Sequence, residues 1–199
     1  MYFPYKTIIL KIQYFARNLY KKIIYRKGSS MKHSKKNITL IGMPGVGKST
    51  IGVILAKIIG YEFIDSDIVI QKQEGKLLKD IIAEVGSDGF LQIENKVHQN
   101  MDVHQCIISP GGSICYCTEG LEHLRDISTV VYLKLDYEEL AQRLGNLTAR
   151  GVVLKDGQTL LDLYQERTPL YEKYAHVVID ETGLQVEETL QAVLNALEL

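Results

Sequence analysis

Short apolar runs alternate along the chain with longer segments in which apolar residues recur every three or four positions. Five runs are rich in β-branched and aromatic residues with few polar interruptions, which predicts strands buried on both faces of a sheet. These strand candidates cover residues 38–41, 61–64, 105–109, 129–135 and 177–179. Eight segments have helical character, and they cover residues 48–59, 67–73, 77–85, 89–103, 119–125, 137–144, 159–174 and 185–197.

The alternation of strands and helices predicts the fold class. Strand and helix taking turns is typical of a parallel sheet, so we expect five parallel strands with helices on both faces. This α/β domain would run from residue 37 to residue 199. Residues 145–157 have no strong periodicity, and two apolar residues flank Arg150 and Gly151, which predicts a mobile loop.

The first 36 residues differ in charge from the rest of the chain. They carry ten Lys or Arg and no Asp or Glu, whereas residues 37–199 carry 13 basic and 24 acidic residues, a net charge of −11. Apolar residues at positions 8, 12, 15, 19 and 23 predict a basic amphipathic helix, able to contact an anionic membrane or to act as a targeting peptide. Charges interrupt its apolar runs, so we do not expect it to span a membrane. In the alternative interpretation, translation begins at Met31 and the upstream residues are an over-extended start.

The cysteine content indicates a reducing compartment. The chain has three cysteines, Cys106, Cys115 and Cys117. An odd and small number of closely placed cysteines favours reduced thiols over a disulfide framework. Cys115 and Cys117 also lack the spacing and the distant partners of a zinc site. We therefore expect a cytoplasmic protein.

The segment GMPGVGKST at residues 42–50 predicts a nucleotide-binding loop. Gly42, Gly47, Lys48 and Ser49 meet the pattern G-x-x-x-x-G-K-S/T between a predicted strand and a predicted helix. Backbone N–H groups of such a loop and the N-terminus of the following helix bind phosphates. The residues expected at the phosphates are Gly45, Val46, Gly47, Lys48, Ser49 and Thr50. Lys48 would reach the outer phosphates, and the Ser49 hydroxyl would be a ligand of Mg²⁺.

The nucleotide loop alone does not name the reaction. GTPases, motor ATPases and small-molecule kinases all carry it. A GTPase needs an N-K-x-D segment that reads guanine, and residues 95–98 (Asn-Lys-Val-His) lack the final Asp. A motor ATPase needs a larger domain and an apolar run closed by Asp-Glu, which the chain does not contain. The sequence therefore favours a small-molecule kinase.

Two carboxylates follow the second predicted strand. Asp65 and Asp67 lie about twenty residues after the nucleotide loop, at the expected carboxyl end of a strand beside the phosphates. One would order Mg²⁺ and the other would accept the proton of an attacking hydroxyl. In the alternative interpretation, Asp65 or Ser66 only caps the next helix.

Glycines and arginines extend the candidate acceptor site. Gly111 and Gly112 follow the third predicted strand, where a backbone without side chains can approach a substrate closely. An ordinary tight turn is the alternative. Arg143, Arg150 and Arg167 lie in or beside the predicted loop, and the planar guanidinium group suits phosphoryl and carboxylate groups.

On these residues the chain resembles the shikimate kinases, small P-loop kinases related in fold to the nucleoside monophosphate kinases. The similarity extends from about residue 38 to the C-terminus. The segments that carry it are GMPGVGKST, IDSD, GFLQIE, SPGGS, TARGVVL and ERTPLYEKYA. The resemblance implies that ATP, with Mg²⁺, donates its γ-phosphate to the 3-hydroxyl of shikimate, and that residues 145–157 form the lid.

The resemblance also implies individual roles. Asp65 would help Ser49 to order Mg²⁺, and Asp67 would hold and deprotonate the acceptor hydroxyl. Arg143 would pack on the adenine, Arg150 would close over the phosphates, and Arg167 would pair with the substrate carboxylate. Gly111 and Gly112 would line the acceptor pocket. For partners, we expect a small-molecule substrate, no nucleic acid and a monomeric protein.

Two positions depart from the family pattern. The family has an arginine after the phenylalanine of its G-x-x-x-F-R-x-x-E segment, but here Leu91 follows Phe90. Pro110 occupies the first position of the usual triple glycine, and Ser113 follows the remaining pair. Losing one charged hydrogen-bonding partner costs about 1.5 to 3 kcal/mol.

Three functions are compatible with these departures. In the first, it would be a shikimate kinase in which another group, such as Gln92 or a lysine like Lys96, replaces the missing arginine. In the second, it would phosphorylate a different small hydroxyl compound. The third is a non-catalytic ATP-binding module that reports nucleotide to a partner. A module that only binds has no need of the acceptor base at Asp67, which argues against the third function. Between the other two we favour the first, because Arg167 and Asp67 are both present.

Overall fold

The computed structural model describes residues 37–144 and 157–199. Its five strands are β1 (Asn37–Ile41), β2 (Glu62–Asp65), β3 (Cys106–Ser109), β4 (Ser128–Lys134) and β5 (Val177–Asp180). Its helices are α1 (Lys48–Ile59), α2 (Ser66–Glu74), α3 (Leu78–Gln99), α4 (Thr118–Ile127), α5 (Tyr137–Leu144), α6 (Leu160–Tyr174) and α7 (Val186–Ala196).

The strands form one parallel sheet in the order β2-β3-β1-β4-β5. Every residue of β1 and of β3 is buried, which explains why their apolar runs lack polar alternation. The chain goes from β1 to the edge strand β2, returns through β3, and then crosses to β4 and β5 on the other side of β1. Because the crossovers are right-handed, connections that run in opposite directions place their helices on opposite faces of the sheet. In agreement, α1 contacts α7, while α3 contacts α4 and α4 contacts α6. The predicted α/β fold class is confirmed.

The hydrophobic core lies on both sides of the central strands. Among the fully buried side chains, Leu40 and Ile41 come from β1, and Ile107 and Ile108 come from β3. The core also includes buried residues of β4 and of helices α1, α4, α6 and α7. Since these side chains are apolar and close-packed, they hold the carboxyl ends of the strands in fixed positions.

The segment at residues 77–103 differs in detail from the prediction. We predict two helices there, and the structure has the single element α3, interrupted at Gly86 (φ 72°, ψ 176°). That backbone conformation is open mainly to glycine, so the interruption coincides with the predicted gap between the two helices. The helix ends at Gln99, before the predicted boundary. A 3-10 turn over Gly112–Tyr116 was not predicted.

The second strand lies one residue later than predicted. It ends at Asp65, which pairs with Ser109 of β3, so the carboxylate stands at the carboxyl edge of the sheet. In an open parallel sheet, ligands bind at this edge, beside the strand at which the strand order reverses. Here that strand is β1, and the predicted nucleotide loop leaves its carboxyl end.

Several predictions fall on parts of the chain outside the described residues. They are the basic extension at residues 1–36 and residues 145–156 of the predicted lid, including Arg150. Among the helices that the structure does describe, none combines the length and the apolar character needed to cross a bilayer.

Candidate active site

A cleft of about 700 Å³ opens at the carboxyl edge of β1, β2 and β3. From the nucleotide loop, its lining includes Gly45, Gly47, Lys48, Ser49 and Thr50. From the predicted acceptor side, it includes Asp65, Asp67, Gly111, Gly112 and Arg167. The fold therefore brings together residues that lie more than a hundred positions apart in the sequence.

The nucleotide loop is built around its glycines and Lys48. Gly42, Gly45 and Gly47 all have positive φ angles, so the loop turns tightly before α1 begins at Lys48. The Lys48 Nζ donates hydrogen bonds to the carbonyl oxygens of Gly42 (2.9 Å) and Met43 (3.1 Å). Burial lowers the pKa of Lys48 to about 8, against the opposing effect of Asp67 and Asp65. A buried ammonium group is therefore ready to meet an anion at the mouth of the loop.

Ser49 and Asp65 form an oxygen-donor set suited to Mg²⁺. The Ser49 Oγ lies 3.5 Å from the Ser109 Oγ. Asp65, the last residue of β2, pairs with the same Ser109 in the sheet. Mg²⁺ prefers oxygen ligands and takes one or two from protein, with waters and phosphate oxygens completing its shell. Within 37–144 and 157–199, no three His, Cys, Asp or Glu side chains are grouped so that they could hold a metal ion by themselves. The donors present fit an ion held jointly with a nucleotide.

Asp65 also caps a helix. Its Oδ1 accepts a hydrogen bond of 3.0 Å from the backbone N–H of Asp67, at the start of α2. The structure thus confirms that Asp65 caps this helix. A carboxylate has about four lone-pair sites, so capping and metal binding are compatible.

Asp67 faces the inner end of the cleft. Burial raises its pKa, the neighbouring Asp65 raises it further, and Lys48 opposes both effects. A carboxylate with a raised pKa is a better proton acceptor than an exposed one. Asp67 Oδ1 would lie only 3.1 Å from a Cβ atom at position 111, so glycine leaves this carboxylate accessible.

Gly112 makes room for Arg167. A Cβ atom at position 112 would lie 2.8 Å from Pro44 Cδ and 3.1 Å from an Nη atom of Arg167. Arg167 is buried in α6, where its Nε donates to the Tyr116 hydroxyl at 3.3 Å and its guanidinium stacks over that ring. These contacts fix the guanidinium at the cleft, and a fixed planar guanidinium suits a planar anion such as a carboxylate.

The residues of α3 that line the cleft are mostly apolar, with Ser87 and Asp88 as polar exceptions. Leu91 lines the cleft together with Phe90, Leu78 and Ile82. Neither Gln92 nor Lys96 belongs to this lining. Gln92 is exposed, and Lys96 lines a separate groove beside Ile64 and Val97. In this structure, neither side chain lies where it could replace the missing arginine in the cleft.

Arg143 lies under the nucleotide loop and outside the cleft lining. Its guanidinium donates to the Val46 carbonyl oxygen (3.2 Å), to Glu139 (2.6 Å) and to Glu181 (3.0 Å). The structure thus places Arg143 beside a predicted nucleotide-loop residue, in a fixed orientation. It does not bring Arg143 and Arg167 to the same end of the cleft.

Sequence reasoning missed a buried link between the acidic turn and α3. His98 is fully buried, with Nδ1 2.7 Å from the Glu94 carbonyl oxygen and Nε2 2.9 Å from the Ser66 Oγ. Since a carbonyl oxygen only accepts, Nδ1 carries the proton and Nε2 accepts from the serine hydroxyl. Burial lowers the His98 pKa to about 4, so the ring is neutral at physiological pH. This link fixes the turn that presents Asp65 and Asp67.

Glu94 is the second residue that sequence reasoning missed. Its segment, GFLQIE, is visible in the sequence, but nothing there shows that the carboxyl group is fully buried behind Gly111. Helical residues of mixed polarity give no signal of which charged side chain points inward. Only the packing of α3 against the rest of the domain decides this.

Comparisons with known proteins agree with this geometry. The family model described as Shikimate kinase matches residues 44–198. A shikimate kinase of Clostridium botulinum is 38% identical over 168 residues, which cover 81% of this chain and 95% of the relative. Shikimate kinase 2 of Pectobacterium carotovorum is 35% identical, covering 81% of this chain and 96% of the relative.

A solved structure shows the same fold. Shikimate kinase from Acinetobacter baumannii in complex with shikimate superposes with a TM-score of 0.75 at 30% identity. The match covers 83% of this chain and 94% of that chain. The residues named in the cleft all lie within the range that the family model matches.

Proposed function

Since the chain belongs to the shikimate kinase family, we propose that it transfers the γ-phosphate of ATP to the 3-hydroxyl of shikimate with the residues of this cleft. The observation that carries the proposal is the meeting of Lys48, Asp67 and Arg167 in one cleft. They supply a phosphate ligand, an acceptor base and a carboxylate partner. The family match supports an anionic hydroxyl compound as the acceptor.

The reaction follows from these positions. Backbone N–H groups of the nucleotide loop and the Lys48 ammonium hold the outer phosphates, while Arg167 holds the acceptor's carboxylate. Asp67 accepts the hydroxyl proton as the hydroxyl oxygen bonds to the γ-phosphorus, and the bond from that phosphorus to the bridging oxygen breaks to release ADP. Mg²⁺, held by Ser49 and Asp65, would neutralise charge on the phosphates. Gly111 and Gly112 line the pocket through their backbone.

The two remaining arginines complete the proposed nucleotide site. We assign Arg143 to the adenine, because Glu139 and Glu181 fix its guanidinium next to Val46. Arg150 is proposed as the lid arginine on the strength of the family resemblance. We further propose a cytoplasmic, monomeric enzyme with no nucleic-acid partner. The three free, buried cysteines support the reducing compartment.

The apolar side chain of Leu91 keeps a second candidate open, a kinase of another small hydroxyl compound. In that case Arg167 would bind an anionic group placed differently, or no anionic group at all. The buried, raised-pKa carboxylate of Asp67 argues against a module that only binds ATP, because such a module has no use for a base aimed into the cleft.

The direct test is ADP release by the full-length protein with Mg²⁺-ATP, with and without shikimate. We expect saturable turnover that depends on shikimate. Background hydrolysis alone, by protein shown to bind ATP, would contradict the proposal. A panel of small polyols and hydroxy acids would then test the second candidate.

Leu91→Arg is expected to lower the KM for shikimate by about tenfold or more, because a charged hydrogen bond to the carboxylate is worth about 1.5 to 3 kcal/mol. The measurement is the shikimate KM at saturating ATP, with Leu91→Met as a control for packing. A KM that does not fall would indicate a pocket shaped for a different acceptor.

A further inference from the structure

Glu94 carries a buried oxygen atom without a hydrogen-bond partner in the described part of the chain. The residue is fully buried in α3. Its Oε2 accepts a hydrogen bond of 2.6 Å from the Ser113 hydroxyl and a weaker one of 3.7 Å from the Cys117 thiol. The Oε1 atom is the one without a partner. Such an atom is rare in a folded protein, because its desolvation is not compensated.

No cation pairs directly with Glu94 among the ion pairs of residues 37–144 and 157–199. The residue one turn earlier on the same helix is Leu91, which cannot supply a positive charge. Among the described residues, five titratable or charged groups interact electrostatically with Glu94. They come from α1, α2, α6, the 3-10 turn and the residue that follows this turn. They are Lys48, Asp67, Arg167, Cys115 and Cys117.

The pKa of this carboxyl group therefore lies near neutral pH, so its uncharged and ionised forms are both populated there. Burial raises the pKa of Glu94 to about 7, and the charge of Asp67 also raises it. The hydrogen bonds from Ser113 and Cys117 and the charge of Arg167 act in the opposite direction. An ionised carboxylate at this position would be a buried charge with incomplete compensation.

The unpartnered oxygen lies just behind the acceptor end of the cleft. Glu94 Oε1 and Asp67 Oδ1 are each 3.1 Å from the point where a Cβ atom of residue 111 would stand. The two oxygens are thus separated by no more than twice that distance. A second negative charge here would act on the same groups that are to bind an anionic acceptor.

We propose that Glu94 is a positioning residue that admits the anionic acceptor only while it is uncharged, so that binding of the acceptor's carboxylate is coupled to the protonation of Glu94. This inference rests on the proposed function and adds a determinant of acceptor affinity. In the uncharged form, the positive charge of Arg167 is left for the acceptor. In the ionised form, Glu94 and the acceptor's carboxylate compete for that charge.

The inference predicts a specific dependence on pH. The KM for shikimate should rise by up to about tenfold for each pH unit above pH 7, because the competent fraction falls by that factor once a single group ionises. The value of kcat should change little over the same range. Saturating Mg²⁺-ATP keeps Lys48 beside phosphates, so its own titration does not intervene.

Glu94→Gln is the discriminating variant. Glutamine has nearly the shape of the uncharged acid and cannot ionise, so its shikimate KM should stay constant between pH 7 and pH 9. At pH 9 the variant should therefore bind shikimate about a hundredfold more tightly than the wild type does. Glu122→Gln, on the exposed side of α4, is the matched control and should follow the wild type.

Calorimetry supplies a readout independent of turnover. At pH 8, shikimate binding to wild-type protein with ADP should take up close to one proton, measured from heats in buffers of different ionisation enthalpy. The Glu94→Gln variant should take up none at this site. NMR of the ¹³C-labelled carboxyl group should show Glu94 titrating near pH 7 without any ligand.

Titration of Glu94 below pH 5, or shikimate binding without proton uptake by the wild type, would overturn this inference alone. Loss of shikimate binding by Glu94→Gln at every pH, with its fold intact, would also overturn it. A wild type that binds ATP but no shikimate would overturn the proposed function and, with it, this inference.

Discussion

Lys48→Met is expected to abolish turnover, lowering kcat by about 10³-fold or more, while the fold is retained. Removing one preorganised donor to developing charge costs about 10² to 10³ in rate, and here the donor carries a full positive charge inside a buried loop. Its Nζ contacts only two loop carbonyls, those of Gly42 and Met43, within the described residues. Methionine has a similar length and suits a buried site.

The measurement is single-turnover and steady-state ADP release, together with circular dichroism and thermal unfolding to verify the fold. Lys57→Met is the matched control, because Lys57 lies on the same helix α1 but is exposed to solvent. We expect it to keep wild-type turnover. An unchanged rate in the folded Lys48→Met protein would contradict the assignment of residues 42–50 as the phosphate-binding loop.

Asp67→Asn is expected to lower kcat by about 10² or more, because asparagine preserves the shape of the side chain but cannot accept the hydroxyl proton. The shikimate KM should change much less. Asp67 is aimed at the cleft by the turn that Asp65 caps and that His98 anchors through Ser66. Since these contacts involve the backbone of the turn and the neighbouring side chains, the substitution should not disturb them.

The pH profile gives a second readout for Asp67. Burial and the charge of Asp65 raise the pKa of Asp67, and a base must be ionised to work, so wild-type kcat should fall as the pH decreases through that raised value. The small residual rate of Asp67→Asn should lack this acidic limb. Asp126→Asn, at a solvent-exposed position of α4, is the control. A change confined to KM would refute the role of Asp67 as a base.

Local patterns in the sequence were sufficient to predict a five-stranded parallel sheet with helices on both faces. Apolar runs without alternation identified β1 and β3, because strands covered on both faces have no polar side. The nucleotide loop could be predicted in the same way, because the glycines that set its backbone conformation and Lys48 lie within nine consecutive residues. The two carboxylates after β2 followed from the rule that parallel strands end at one edge of the sheet.

The acceptor site was readable only in part. The residues at positions 111, 112 and 167 were identified, but their mutual fit was not. That Gly112 leaves space for the Arg167 guanidinium depends on the packing of α6 against the 3-10 turn, across more than fifty residues of sequence. The sequence also suggested Gln92 and Lys96 as substitutes for the missing arginine. In the folded chain, α3 places neither side chain in the lining of the cleft.

The charge states of buried groups were decided by the tertiary structure alone. In the sequence, Glu94 and His98 are ordinary polar residues of an amphipathic helix. In the folded chain both are fully buried, so the pKa of Glu94 is raised to about 7 and His98 is neutral with a defined tautomer. Periodicity records which residue types recur along one element. Desolvation and the distance to other charges depend on every element around a group, so they exist only once the chain has folded.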